Sequence, residues 1–167
     1  MLGGWGTCPF DDEGHPIQRN PIVEKGILRN FVHDTYTALK TNVESTGNAQ
    51  RSGYWLKPQP APNNLVFENG KEDPEEIIKD TREGIFVDTT IGEWLSNPVS
   101  GNLNATITHG YRIEKGELGE PVNGVVVSGN FFELLKTGVG GVGKDMRNSG
   151  ENYSPTVKLV GVTVAGE

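Results

Sequence analysis

The chain has 167 residues with 22 acidic against 15 basic side chains, for a formal net charge of −7 at pH 7. That balance argues against a non-specific polyanion binder, so nucleic acid and anionic membrane are poor partners. The length suits one domain with a real hydrophobic core, and 34% apolar residues with 23 glycines exclude a disordered composition.

Glycine and ten prolines point to short strands joined by turns rather than to a helical bundle. Cys8 is the single cysteine, so no internal disulfide forms. With three histidines it cannot complete a zinc site of four cysteines, or of two cysteines and two histidines. No basic leader and no run of about 18 apolar residues is present, which predicts a cytoplasmic protein without a membrane span.

In chain order, Lys25-Gly26 lies between Ile22-Val23 and Ile27-Leu28, the pattern of a hairpin. His33–Lys40 predicts a short helix capped by Asp34, followed by the polar loop Ser45-Thr46-Gly47-Asn48. The proline-rich stretch Lys57–Asn64 predicts extended surface backbone leading into a strand at Leu65–Phe67. Asp73 and Pro74 open a second helix, with Glu75 and Glu76 at its positive end, Ile77, Ile78 and Thr81 as buried stripe, and Gly84 as terminator.

Strands are expected at Ile85–Val87, Ala105–Thr108 and Gly124–Val127, and Glu114-Lys115-Gly116 repeats the earlier hairpin turn. Asn130 caps a third helix carrying Phe131–Leu135, and Thr156–Val164 alternates as one strand. The expected class is α+β, β-rich, with mixed or antiparallel sheets and two or three short helices in a single domain over 1–167. Regular βαβ alternation is missing.

The glycines of Gly138–Gly143 match G-x-G-x-x-G. They follow a helix rather than a strand, and Asp145 stands where a magnesium-binding hydroxyl would be, so nucleotide binding is rejected. His15, His33 and His109 are too far apart to share a helix face. The Asp11-Asp12-Glu13 turn beside His15 reads as solvated more readily than as a ligand cluster. No G-x-S-x-G elbow occurs, and Cys8 has no evident basic neighbour, so no catalytic residue is assigned. Ser45-Thr46-Gly47-Asn48 with Arg51 offers hydroxyls, amides and a guanidinium to a peptide or carboxylate, or forms a structural turn. Trp55 beside the prolines either provides contact surface or packs on them.

Four ordered blocks carry a resemblance. They are Phe10–Gly14 with Gln18-Arg19, Ile22–Leu28, His33–Ala38 and Ser45–Ala49; Val127–Asn130, the glycine loop through Asp145 and the closing strand before Ala165-Gly166 extend it. In this order and spacing the chain resembles the TldD/PmbA family, named for peptide maturation and also called modulators of DNA gyrase. Family members are longer, and only their carboxy-terminal domain is resembled.

The resemblance implies a metallopeptidase-related system. Its active branch carries a His-Glu-x-x-x-His helix upstream of this region and a cysteine near where Asn148-Ser149-Gly150 stands here. No metal ligand is therefore carried over, and no cofactor is assigned to this chain; zinc belongs to the full-length family context. The departure is closer to the partner branch, which lacks the ligands and pairs with the peptidase in an enclosed chamber. The implied function is a scaffold or partner-subunit domain in cytoplasmic peptide processing or proteolysis. It would act on peptide or unfolded protein, as a homo- or heterodimer with another TldD/PmbA subunit. Asp11, Asp12, Glu13, Ser45, Thr46, Gly47, Asn48 and Arg51 are the candidate cleft or interface residues. The alternatives are part of an active zinc metallopeptidase with upstream ligands, and a regulatory module toward gyrase or a toxin–antitoxin system.

Overall fold

The structure, a computed structural model, describes residues 3–166. Both Lys-Gly pairs adopt positive φ at both positions, Lys25 at 52° and Gly26 at 76°, Lys115 at 54° and Gly116 at 83°. This is the I′ geometry whose twist suits two antiparallel strands.

The first hairpin joins β1 (Val23–Glu24) to β2 (Ile27–Leu28). Then come α1 (Thr35–Thr41), β3 (Ala49–Gln50), β4 (Gln59–Pro60) and β5 (Leu65–Val66). Next are α2 (Pro74–Lys79), β6 (Glu83–Ile91), a 3₁₀ turn at Glu93–Leu95 and the long β7 (Asn102–Glu114). β8 (Glu117–Val122) and β9 (Val126–Asn130) precede α3 (Phe131–Glu133), a π-type turn at Leu134–Gly138 and β10 (Val139–Val142). The chain closes with β11 (Arg147–Ser149), β12 (Asn152–Ser154), β13 (Val157–Leu159) and β14 (Thr163–Ala165). The fold is α+β and β-rich. No helix among the described residues is long and apolar enough to cross a membrane.

The chain divides into two units. Unit I is the segment up to Phe67 together with Asn148–Ser154. Its helix α1 starts as the sequence predicts: the Asp34 carboxylate accepts from the Thr37 N–H at 2.7 Å, and the Thr37 hydroxyl takes the Asp34 N–H at 3.2 Å. This reciprocal cap satisfies two N–H groups the helix start would leave open. β3 pairs antiparallel with β4, and β5 pairs parallel with β12, Leu65 opposite Asn152 and Val66 opposite Tyr153. The buried side chains here are small or polar: Ala38, Ala49, Asp11, Asp34, Asn48 and Asn63, with Tyr153 the one large ring.

Unit II is Glu68–Arg147 together with the chain from Pro155 onward. Its five-stranded sheet runs β14-β9-β7-β6, with β8 also on β7, and these pairings are antiparallel. Ala105, Ile107, Ile113, Val125, Leu134 and Ile77 form its core, Ile107 being fully buried. Burial alternates at Ala105 and Ile107 and then slips to Gly110 and Ile113. Bulges at Val87/Thr89 and Tyr111/Ile113 re-aim the side chains there.

Four expectations are corrected. Helix α2 is capped by Asp73 with Pro74 at its first position as predicted, but it ends at Lys79 with Asp80 as C-cap, and Gly84 lies inside β6. The β7–β8 turn claims the next carbonyls, Lys115 N–H donating to Arg82 O at 2.7 Å and Gly116 N–H to Thr81 O at 3.0 Å. The expected buried stripe of α2 narrows to Ile77, with Ile78 and Thr81 half-buried. The third helix is one turn at Phe131–Glu133 that loosens into the π-type turn. The tail is two strands with different partners, β13 on β10 and β14 on β9, divided at Gly161, whose φ of 87° breaks the extended run.

Candidate functional site

The acidic turn of unit I binds backbone. Asp11 is buried, and its Oδ1 accepts the N–H groups of Glu13 at 3.0 Å and His15 at 2.9 Å while Oδ2 accepts that of Ala49 at 3.0 Å. Asp12 Oδ2 accepts the Arg51 N–H at 2.7 Å, and Glu13 Oε2 accepts the Thr35 N–H at 2.8 Å. The solvated-turn reading is thus corrected at Asp11. Three consecutive carboxylates fasten β3, the segment after it and the start of α1. Burial works to raise the Asp11 pKa, but the N–H groups of Ala49, His15 and Glu13 outweigh it and hold the carboxyl below its ordinary value. Asp34 behaves alike: burial opposes its charge, and the hydroxyl and N–H of Thr37 prevail.

The Ser45–Asn48 loop faces inward. The hydroxyls of Thr46 and Ser45 donate to His33 O at 3.1 and 3.4 Å, and Thr46 Oγ1 accepts the His33 N–H at 2.7 Å. Gly47 is buried with φ 68°, and a Cβ there would overlap the Pro16 carbonyl, so a side chain is sterically barred. Asn48 is buried; its Nδ2 donates to Ala61 O at 3.1 Å and its Oδ1 accepts from Asn20 Nδ2 at 2.9 Å. Ser45, Thr46, Gly47 and Asn48 therefore join α1, β3 and the chain after β4.

Arg51 is exposed and different. It lines a depression of about 310 Å³ in unit I, shared with Trp5, Cys8, Asp12, Asn63 and Glu151. Trp5, Asn63 and Glu151 carry no sequence signal for this place. Asn63 looked like part of an extended connector, and Glu151 arrives through the pairing of β12 with β5, which no local pattern announces. Cys8 is exposed and its Sγ accepts from Asn63 Nδ2 at 3.4 Å. Trp55 does not pack on its prolines: it is exposed and meets Tyr54 edge-on at 4.7 Å.

The donor groups do not fit a metal centre. Each imidazole meets a threonine hydroxyl, His15 with Thr35 at 3.2 Å, His33 with Thr37 at 3.3 Å and His109 with Thr89 at 2.9 Å. No group of three His, Cys, Asp or Glu able to hold a metal exists among the described residues. In unit II the glycine loop contains β10, and the N–H groups that follow the strand are used internally. Gly143 donates to Thr156 O at 2.8 Å and Lys144 to Glu72 O at 2.7 Å. Lys144 Nζ pairs with Asp73 at 2.5 Å, lowering the Asp73 pKa and raising that of Lys144. Asp145 accepts the Thr156 N–H at 3.0 Å and its hydroxyl at 2.9 Å.

Comparison with known proteins gives consistent results. Residues 1–166 match the family model described as the PmbA/TldA metallopeptidase C-terminal domain. A metalloprotease TldD homolog of Buchnera aphidicola is 29% identical over 96% of this chain and 36% of its own. A metalloprotease of Archaeoglobus fulgidus is 35% identical over 81% of this chain and 31% of its own. Among solved structures, a protein from Thermotoga maritima described as a modulator of a DNA gyrase superposes with TM-score 0.86 at 32% identity, over 99% of this chain and 37% of that one. TldE from Thermococcus kodakarensis gives 0.84 at 32% identity, over 95% and 36%. The chain thus spans roughly a third of the length of these relatives.

Proposed function

Since the chain belongs to the TldD/PmbA family and corresponds to its carboxy-terminal domain, we propose that residues 1–167 act as a single scaffold or partner-subunit domain of a cytoplasmic peptide-processing assembly. In this reading the domain shapes a chamber for peptide or unfolded protein and pairs with another subunit of the family. Chemistry is supplied elsewhere. The observation that carries the reading is the internal use of the candidate groups: Asp11, Asp12, Glu13, Ser45, Thr46 and Asn48 hold backbone segments together. Groups so engaged build walls rather than activate water.

A second reading draws on the relatives named metalloproteases, of which this chain spans about a third. There the domain is part of an active zinc enzyme whose ligands lie outside these residues. The gyrase-modulator description of the Thermotoga relative favours a regulatory role, which the charge of −7 opposes.

Elemental analysis of the purified chain, with a parallel assay of peptide hydrolysis, tests the leading reading. We expect no stoichiometric zinc and no cleavage. Stoichiometric zinc with chelator-sensitive cleavage by this chain alone would sink it.

A further inference from the structure

We propose that Asn123 is a modification site in unit II, where attack by the Gly124 nitrogen converts the asparagine, through a succinimide, to aspartate and isoaspartate. The inference stands apart from the peptide-processing reading, because it concerns the lifetime of the sheet rather than a substrate.

The sequence holds two Asn-Gly pairs, Asn69-Gly70 and Asn123-Gly124. A glycine has no Cβ to keep its nitrogen from the Cγ of the asparagine before it. The two pairs are chemically alike, and the fold separates them. The Asn69 carboxamide donates to Lys144 O at 2.7 Å, and the Gly70 N–H donates to Gly143 O at 2.9 Å. A Cβ at Gly70 would overlap the Val142 carbonyl, so the backbone there is hemmed in. Asn123 instead lies in the exposed link between β8 and β9, and its carboxamide has no hydrogen bond among the described residues. A Cβ at Gly124 would meet nothing within 4 Å. One bond restrains the nitrogen, from the Gly124 N–H to Ile107 O at 2.8 Å. Opening that single bond frees both reacting groups, whereas Asn69 needs two bonds and a packed backbone to yield.

In the reaction the Gly124 N–H gives its proton to water or hydroxide, and its nitrogen attacks Asn123 Cγ. The N–Cγ bond forms, the Cγ–Nδ2 bond breaks, and Nδ2 leaves as ammonia after taking up a proton. Water then opens either carbonyl of the succinimide ring. One water replaces one ammonia, with no change in oxidation state. Both products carry a new negative charge, and isoaspartate also adds a methylene to the backbone.

The position of the link gives the product its effect. Ile107 N–H donates back to Val125 O at 2.8 Å, so the segment ties buried Val125 to fully buried Ile107. β9 continues with Val126 opposite Thr106 and Val127 opposite Ala105, and β14 is held in the sheet by β9. A backbone lengthened just before this ladder no longer matches its spacing, so β9 and β14 loosen together.

The test incubates the folded whole chain at mildly alkaline pH, beside the same chain in urea, and follows each Asn-Gly peptide by mass spectrometry. In the folded chain amide loss should be roughly tenfold faster at Asn123 than at Asn69, the scale of about one net hydrogen bond. In urea the two rates should converge. Equal rates in the folded chain, a faster Asn69, or an Asn123 that stays intact while the unfolded chain converts would overturn the site. Hydrogen exchange of the aged chain reads the consequence: Val126–Asn130 and Thr163–Ala165 should lose protection, and α1 should keep it. Freshly prepared Asn123→Asp adds the charge without the methylene and should leave β9 protected. Unchanged protection of β9 in the aged chain, or an equal loss in Asn123→Asp, would overturn the backbone account.

Discussion

Asp11 does in unit I what a large apolar side chain does in an ordinary core: it is buried and organises three segments around itself. A carboxylate accepts from both sides, whereas an asparagine in its place would turn an Nδ2 donor toward an N–H. Asp11→Asn should therefore cost about 1.5–3 kcal/mol at neutral pH, measured by urea unfolding. The pH dependence follows from the direction of its shift. Asp11 and Asp34 both have folded pKa values below the ordinary 3.8. Their stabilisation is complete above the unfolded value and is lost as pH falls through the folded one. Unfolding free energy of the native chain should thus decline below about pH 4, and in Asp11→Asn the decline should be shallower. Equal acid slopes in the two proteins would refute this role. The sequence exposes the polar residues of this site but not their targets. Asp11 meets Ala49, and Asn48 meets Ala61, across separations that leave no periodic trace.

At the scale of elements, legibility followed the local chemistry. The two Lys-Gly hairpins and the Asp34, Asp73 and Asn130 caps are short-range devices, and all five formed as the residues implied. Where an element ends was less legible, because ends are decided by competition. Gly84 resembles a helix terminator, yet the β7–β8 turn had already taken the carbonyls of Thr81 and Arg82. The alternation of Thr156–Val164 says nothing about Gly161 dividing it between two sheets. The two hairpin glycines allow a paired test. A Cβ at Gly26 meets nothing within 4 Å, whereas one at Gly116 would overlap the Lys79 carbonyl. Gly26→Ala should cost about 1 kcal/mol from backbone strain, and Gly116→Ala roughly 2–4 kcal/mol because overlap adds to it. Urea unfolding of the pair checks the order, and a Gly26→Ala loss as large as that of Gly116→Ala would contradict the packing described.

For the molecule as a whole, the contrast between buried and exposed apolar groups matters most. Unit I buries Ala38, Ala49 and Tyr153, while Trp5, Phe31, Tyr36, Leu39, Tyr54 and Trp55 stay exposed. Apolar groups exposed in this number mark surfaces that become covered. The isolated β1–β2 hairpin, with Val23, Ile27 and Leu28 exposed, points the same way, since two strands alone are marginal in water. The chain by itself should self-associate in light scattering, and Leu39→Asp with Trp55→Ser should shift it toward monomer. A strictly monomeric native chain at high micromolar concentration would contradict this expectation.

The parallel pairing of β5 with β12 also bears on how the protein is made. The chain leaves unit I after Phe67 and returns only at Asn148–Ser154, where Leu65 and Val66 find Asn152 and Tyr153. A ribosome that has released the first segment has therefore not released a complete unit I: the strand β5 waits, edge open, until Asn152 and Tyr153 have emerged. Such distant pairing slows folding and lengthens the time in which a nascent strand meets the wrong neighbour.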